Sequence, residues 1–334
     1  MKDFPSCFGD SSVSLSEPSI GNSACAGTDA FLLDKSLQAV HTCIYKAILS
    51  NRKEIIIKLI WSRSSHSQFS LSVAIEDGSS SSSTFSSTSS RPPKSSTVTT
   101  TSMSSNTPIP TNTPILLQKK RGSRSFVTER TVVGLHWDIG SAKHGWGPEP
   151  IKDFFVAVIA DAEFSLLIGD MSRDFVRKFE DIPIARFSFL CRKEQTRGTA
   201  TYSTKSKFTD EGKEHDIVIY CKGDEWDSSN AELTVSVDKK RVVSVRKLKW
   251  NFRGNQMIFI DGAVVDMMWD IHDWWFCNPH SSGWALFMFK TRTSAENPFW
   301  LEEDPHQSDQ RPSVTAGGGR GSGFFLQIQV FKKQ

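Results

Sequence analysis

The sequence predicts an all-β protein: an antiparallel β-sandwich, or a partly closed barrel, of about a dozen strands with one short helix near residues 170–179. Three observations predict this class. Apolar residues recur at every second position in most ordered segments. The connections between these segments have the length of hairpin turns, and a single segment carries a helical stripe. A parallel α/β fold would need crossover helices between its strands.

The clearest sheet signal lies in residues 231–275, which contain two successive hairpins. In the first, apolar positions alternate on both sides of a turn at Asp238-Lys239-Lys240. In the second, two strands meet at Asp261-Gly262. Asp-Gly is typical of a type I′ turn because glycine readily adopts positive φ.

The other elements follow in chain order. Strands are predicted at 38–49 and 54–61 around a turn at Asn51-Arg52, and then at 69–75 and 131–139. Residues 154–160 and 164–168 are apolar at both odd and even positions, which predicts a central hairpin covered on both faces. The helix is predicted with Asp170 as N-cap and with Met171, Phe175 and Phe179 on one stripe. The remaining strands are predicted at 185–193, 199–208, 216–221, 283–291 and 323–331.

Three segments rich in Ser, Thr, Pro, Gly or charge are predicted to be disordered. They are an N-terminal segment over 1–36, a Ser/Thr/Pro-rich insertion over 78–114 and a Gly-rich loop over 302–322. The rest, residues 37–301 with 323–331, is predicted to be a single β-domain.

Composition excludes several functional classes. The 40 Lys and Arg against 37 Asp and Glu give a net charge of +3, too small for a global field that would attract nucleic acid or anionic membrane. No apolar run approaches the ~18 residues of a membrane span, and the first residues lack the apolar core of a secretory signal. We therefore expect a cytoplasmic or nuclear protein. The six cysteines form no CxxC pair, so neither a metal site nor a disulfide framework is expected.

One segment recurs inside the chain. Residues 132–139 (VVGLHWDI) and 264–271 (VVDMMWDI) are identical at five of eight positions, and each copy precedes a loop rich in Gly, Pro or Trp. The pattern fits a duplicated hairpin that places two Trp-Asp corners symmetrically. Chance similarity between strands of like composition is the alternative.

Several long motifs together resemble the plant Domain of Unknown Function 868 family. They are DFPSCFG at 3–9, the segment 137–150, LIGDM at 167–171, LKWNFRGN at 248–255, WDIHDW at 269–274 and GWALFMF at 283–289. The resemblance covers nearly the whole chain in order. It implies no activity, substrate or site residue, and the family carries Gly where this chain has Lys239.

No catalytic residue is predicted. The run 317–323 is not a nucleophile elbow and lacks the Lys of a phosphate loop. Two histidine pairs, His136 with His144 and His272 with His280, could converge, but a third metal ligand is not evident, so no metal or other cofactor is predicted. The enzyme alternative is a carbohydrate-active sandwich that uses Asp138 and Asp270 as paired carboxylates, with Glu149 and Asp273 as the other candidates. An Asp at a strand end is more commonly a turn cap.

The favoured hypothesis is a non-catalytic module that binds a small ligand or a protein. Trp146 lies in a Gly/Pro loop, while Trp274, Trp275 and Trp284 flank a second loop, with Asp138 and Asp270 near the two loops. A Trp in a stiff loop can present its flat face to a sugar, a peptide or a lipid-like ligand. Alternatively, these rings plug the ends of the sandwich.

A second alternative is nucleic-acid binding through the basic strand 246–253. Lys247, Lys249 and Arg253 would form a basic patch on one face. Strict alternation, however, puts the aromatic residues Trp250 and Phe252 on the opposite face, which argues against nucleic acid as a partner.

Overall fold

The computed structural model describes residues 36–78, 113–128, 130–179, 181–198, 201–209, 212–222, 231–276, 283–292 and 324–332. Within them the chain forms nineteen strands and two short helices, so the protein is all-β with mostly antiparallel pairing, as predicted. The predicted strand number is too low, since short strands also form in segments without alternation. The predictions for 1–36, 78–114 and 302–322 fall almost wholly outside the described residues.

The first half of the chain contains ten strands and one helix. These are β1 (Leu37–Ile48), β2 (Glu54–Ser64), β3 (Phe69–Asp77), β4 (Ile115–Leu116), β5 (Arg121–Val127), β6 (Val132–Asp138), β7 (Lys143–His144), β8 (Pro150–Lys152), β9 (Phe155–Ala160), β10 (Glu163–Ile168) and α1 (Ser172–Val176). The second half contains β11 (Arg186–Gly198), β12 (Thr201–Ser206), β13 (His215–Lys222), β14 (Glu232–Val237), β15 (Lys240–Arg246), β16 (Arg253–Ile260), β17 (Ala263–Asp270), α2 (His272–Phe276), β18 (Trp284–Thr291) and β19 (Phe325–Lys332).

Helix α1 lies where the sequence predicts it, but Asp170 is not its N-cap. Met171 occupies that position without a side-chain hydrogen bond. The Asp170 carboxylate instead accepts hydrogen bonds from the backbone amides of Asp153 and Phe154, at 3.1 and 3.2 Å. It therefore fixes the start of β9 rather than the helix. Helix α2 was not predicted, and neither described helix is long and apolar enough to cross a membrane.

The strands form one large sheet and two smaller ones. The nine-stranded sheet has the order β16-β17-β18-β19-β11-β1-β2-β3-β4, the four-stranded sheets have the orders β10-β9-β6-β5 and β12-β13-β14-β15, and β7 pairs with β8. All neighbours among these strands are antiparallel except β11 and β19. In the described part of the chain no sheet closes on itself into a barrel, and the predicted all-β, largely antiparallel class is confirmed.

Both four-stranded sheets pack on the same face of the large sheet. Arg192 in β11 lies opposite Cys43 in β1 and opposite Leu326 in β19, and residues in register share a face. Cys43 belongs to the core under β5, β6, β9 and β10, whereas Leu326 belongs to the core under β12–β15. The protein is therefore two sandwiches side by side on one continuous sheet, with β11 at their junction.

The two recurring segments form equivalent corners. The indole Nε1 of Trp137 donates to the carbonyl of Lys119 at 2.8 Å, and that of Trp269 donates to the carbonyl of Asn251 at 3.0 Å. Each ring packs on a glycine of the neighbouring strand, Gly122 and Gly254 respectively. The two Trp-Asp corners thus have equivalent hydrogen bonds and ring–glycine contacts in the two halves.

Two-residue turns close the β14–β15 and β16–β17 hairpins. Asp261 and Gly262 have φ values of 50° and 76°, as a type I′ turn requires. The β14–β15 hairpin turns at Asp238 and Lys239, with φ values of 48° and 66°, and Lys240 already belongs to β15, so the predicted three-residue turn is wrong. Lys239 adopts the left-handed conformation that glycine adopts more easily.

Candidate functional site

The side chain of Trp146 is 94% exposed, an extreme value for a large aromatic residue. It lies at the tip of the loop formed by residues 140–150, called here the tryptophan loop, between β7 and β8. The sequence predicts this segment as a loop. The structure agrees, except that β7 and β8 pair over a few residues within it. The indole therefore projects into solvent from a hairpin-like base.

The tryptophan loop is held on both sides of Trp146. The Nδ1 of His144 donates to the carbonyl of Pro148 at 3.0 Å, and its ring stacks on Phe69 with the centroids 3.7 Å apart. Arg63 Nη1 donates to the Trp146 carbonyl at 2.8 Å. Gly147 lies on His41, where an added Cβ would come within 2.7 Å of the imidazole. The backbone at Trp146 is consequently fixed while its side chain is exposed.

Glu149 anchors the end of the loop in a buried charged group at the junction between the two sandwiches. We call this group the junction cluster, and it consists of His41, Cys43, Glu149, Arg192 and Glu194. Arg192 Nη2 lies 3.1 Å from Glu149 Oε2, and its Nε lies 2.6 Å from Glu194 Oε1. Glu194 also accepts hydrogen bonds from Tyr202 and Thr204 of β12, at 2.6 and 2.8 Å. The cluster thus joins the loop, the large sheet and one smaller sheet.

Both carboxylates of the junction cluster have a lowered pKa. Burial acts to raise the pKa of Glu149, but hydrogen bonding to His41 and the charge of Arg192 hold that pKa below its ordinary value. Burial likewise opposes ionisation of Glu194, but the charge of Arg192, the nearby His41 and the hydrogen bonds from Tyr202 and Thr204 together lower its pKa. Burial and the nearby Glu149 raise the pKa of the Cys43 thiol well above its usual value. Cys43 therefore remains a protonated thiol, which is a poor nucleophile.

Asp138 and Asp270, the carboxylates of the enzyme alternative, cap the two equivalent corners. Oδ1 of each accepts a hydrogen bond at 3.1 Å from the backbone amide two residues later. Oδ2 lies 2.7 Å from Arg121 Nε in the first corner and 2.8 Å from Arg253 Nε in the second. The two carboxylates thus lie in different halves of the chain, each beside its own arginine.

The structure does not bring the predicted tryptophans together. Trp284 packs with Val40 and Phe331 on the face of the large sheet opposite to His41, while Trp146 lies on the loop that covers His41. Trp274 packs against the core of the second half. The side chain of Trp275 and residues 277–282 lie outside the described residues.

The predicted basic strand is instead a turn. Strand β15 ends at Arg246 and β16 begins at Arg253, and the amides of Trp250 and Asn251 both donate to the carbonyl of Lys247. Within the turn Leu248 is buried and Trp250 is 80% exposed, so the predicted strict alternation is wrong. Lys247, Lys249 and Arg253 are all exposed.

The histidines considered as metal ligands have other contacts. His136 packs against Phe175 and Phe179, and His272 lies beside Asp273, with 2.9 Å between Nδ1 and Oδ1. His280 is outside the described residues. Among those described, no three His, Cys, Asp or Glu side chains are arranged to hold a metal ion.

Sequence reasoning missed the junction cluster, although β11 carries a signal for it. Arg192 and Glu194 lie two residues apart on the same face of β11, and Glu194 is 1% exposed. Two residues of opposite charge on the same face of a buried strand indicate an internal ion pair. Their partner Glu149 could not be identified from the sequence, because it lies in a distant loop.

A family model matches residues 36–332, and its description is "Plant protein of unknown function (DUF868)". The match spans nearly all of both sandwiches. No curated protein and no solved structure is significantly similar to the chain.

Proposed function

The chain belongs to the plant DUF868 family of unknown function, and we propose that it is a non-catalytic binding module that recognises a protein partner through the tryptophan loop. The observation that carries the proposal is the 94% exposure of Trp146. Leaving an indole in water forgoes the large stabilisation that its burial would provide. Tryptophan is also among the residues most enriched at the energetic centres of protein interfaces.

The rigidity of the loop supports the proposal. Binding through a mobile loop would lose affinity, because ordering each residue costs about 1–2 kcal/mol. Here the contacts of His144, Arg63 and Glu149 order the loop before any partner arrives. A pre-organised anchor gives more net affinity from the same contact area.

The surroundings of Trp146 favour a protein over a sugar. Ile151 is 72% exposed, and its Cγ2 lies 3.8 Å from the Cβ position of Gly145, next to Trp146. Phe69, 36% exposed, lies under His144 at the base of the loop. A sugar site would need unengaged polar side chains beside the ring. The nearby acids are already engaged, Glu149 with Arg192 and Asp153 with Lys143 at 2.8 Å.

Photo-crosslinking tests the proposal. A benzophenone amino acid placed at Ile151 leaves Trp146 intact and should crosslink a partner in plant extract, which mass spectrometry identifies. The identified protein, once purified, should bind the wild-type chain directly, and Trp146→Ala should abolish both the crosslink and the binding. Trp250→Ala is the matched control, since Trp250 is 80% exposed in the other half. A crosslinked partner that binds Trp146→Ala as tightly as wild type would refute the proposal.

A further inference from the structure

A groove opens beside the turn that joins β15 to β16. It has a volume of about 730 Å³ and lies apart from the tryptophan loop, in the second half of the chain. We call it the basic groove, and its lining residues are Ser244, Val245, Arg246, Lys247, Asn251, Arg253, Gly254, Asn255 and Trp269. This lining contains three cationic side chains and no acidic one.

The polar groups of the groove are oriented by local contacts. Asn251 Nδ2 donates to the carbonyl of Arg246 at 2.9 Å, which fixes the turn. The guanidinium of Arg253 lies 5.6 Å from the ring centroid of Phe252, and its Nε donates to Asp270 at 2.8 Å. Asp270 offsets the charge of Arg253. Glu232 lies in register with Arg246 and accepts a hydrogen bond from the lining residue Ser244 at 2.8 Å, so it partly offsets the charge of Arg246. Lys247 supplies the third positive charge. The groove thus carries a local excess of positive charge that the small net charge of the chain conceals.

An aromatic ring lies in the same turn as the cations. Trp250 is 80% exposed, and its amide donates to the carbonyl of Lys247 at 2.9 Å. A strand over 246–253 would place the aromatic and the cationic side chains on opposite faces. Because the segment is a turn, strict alternation does not apply to it, and Trp250 adjoins the lining residue Asn251 in the chain without itself lining the groove. Cationic grooves with exposed aromatic rings are typical of proteins that bind single-stranded nucleic acid.

We infer that the basic groove binds a single-stranded nucleic acid. Arg246, Lys247 and Arg253 contact its phosphates, Trp250 stacks on a base, and Asn251 and Asn255 border the path of the strand. A base-paired duplex would not offer an unstacked base to Trp250. This site is separate from the proposed function, since none of its residues belongs to the tryptophan loop.

Fluorescence anisotropy with a labelled twelve-nucleotide oligouridine tests the inference on the full chain. Binding should weaken as salt rises, with a log–log slope of about −2 for roughly three phosphate contacts. The variant Arg246→Gln/Lys247→Asn should raise the Kd at least about tenfold. Asn suits the turn because Lys247 has a φ of 55°, and Asn tolerates that conformation. Trp250→Ala should raise the Kd at least about fivefold through lost stacking.

The matched control removes two exposed cations elsewhere. Lys119→Gln/Lys120→Gln changes the net charge by the same amount as the groove variant and should leave the Kd within about twofold of wild type. If both double variants weaken oligouridine binding equally, the inference is overturned, because diffuse electrostatic attraction to the whole surface would then explain the binding. Absence of oligouridine binding at low salt would also overturn it. So would groove-dependent binding to vesicles with anionic lipid but not to oligouridine, because the groove would then recognise lipid phosphate.

Discussion

Glu149 Oε2 lies 3.1 Å from Arg192 Nη2, and this ion pair joins the tryptophan loop to the strand between the two sandwiches. Arg192 in turn contacts Glu194, which the hydroxyls of Tyr202 and Thr204 hold from the opposite sheet. The loop that presents Trp146 is therefore attached, through Arg192, to the buried carboxylate of Glu194. A surface loop would otherwise depend on exposed contacts, which contribute little.

Replacing Glu149 with Gln should loosen the loop and destabilise the fold by about 1–3 kcal/mol, because Arg192 loses one of its two carboxylates in a mostly buried site. Urea denaturation measures the change, and hydrogen exchange should rise in residues 140–150. Glu54→Gln is the control, since the side chains of its ion pair with Lys46 are 46% and 30% exposed, more than those of Glu149 and Arg192. We expect that variant to stay within about 0.5 kcal/mol of wild type. Equal effects of the two variants would show that the junction cluster does not hold the loop.

Replacing Trp146 with Ala should leave stability within about 0.5 kcal/mol of wild type, because the side chain buries almost nothing. Thermal and urea unfolding measure this directly. A loss of several kcal/mol would mean that the indole packs against the protein, and it would remove the basis for a recognition role.

Replacing glycine with alanine should reduce stability by different amounts at the two equivalent corners. A Cβ on Gly254 would lie 2.3 Å from the Trp269 ring, whereas a Cβ on Gly122 would lie 3.0 Å from the Trp137 ring. Each ring is held by its hydrogen bond to a carbonyl and cannot simply move aside. Gly254→Ala should therefore cost about 1–3 kcal/mol, and Gly122→Ala should cost less. Urea unfolding of the two variants compares them, and the reverse order would contradict the packing described for the corners.

His215 makes stability depend on pH. It lies 2.8 Å from Asp238 and 2.7 Å from Asp261, and so it connects the turns of the β14–β15 and β16–β17 hairpins. Burial acts to lower its pKa, but hydrogen bonds to the two carboxylates outweigh burial and raise the pKa above 6.5. Lys213 also faces Asp238, at 3.5 Å.

Because the folded pKa of His215 is raised, its stabilisation is fully present below the unfolded pKa of about 6.5 and is lost as the pH rises through the folded value. Backbone hydrogen bonding from Asp216 and contact with His215 lower the pKa of Asp238, so its contribution is lost as the pH falls through that depressed value. The difference in unfolding free energy between wild type and His215→Gln should therefore be larger at pH 6 than at pH 9. A difference that does not change between these pH values would contradict the charged state assigned to His215.

Much of the fold could be predicted because its signals are local. Alternation located the strands, and Asp261-Gly262 located a hairpin whose dihedral angles match a type I′ turn. The division of the strands among sheets could not be predicted, since the parallel pairing of β11 with β19 joins residues far apart in the chain. Period-two patterns show which residues share a face but not which strands are neighbours.

In the candidate sites, too, some features could be predicted from the sequence and others could not. The loop position of Trp146 could be predicted from its Gly and Pro neighbours, but the exposure of its ring could not. The turn at 247–250 could not, because Lys247 adopts a positive φ that the sequence pattern of a strand conceals. Asp170 follows the usual rule for an N-cap, yet the backbone amides of Asp153 and Phe154 engage its carboxylate instead. Tertiary contacts decide such cases.

The affinity of the purified partner for wild type, Trp146→Ala and Trp250→Ala tests the central claim most directly. Loss of an interface anchor costs about 2 kcal/mol or more, so Trp146→Ala should raise the Kd at least about thirtyfold, while Trp250→Ala should leave it unchanged. A Kd for Trp146→Ala equal to that of wild type would contradict the claim that the tryptophan loop is the recognition element.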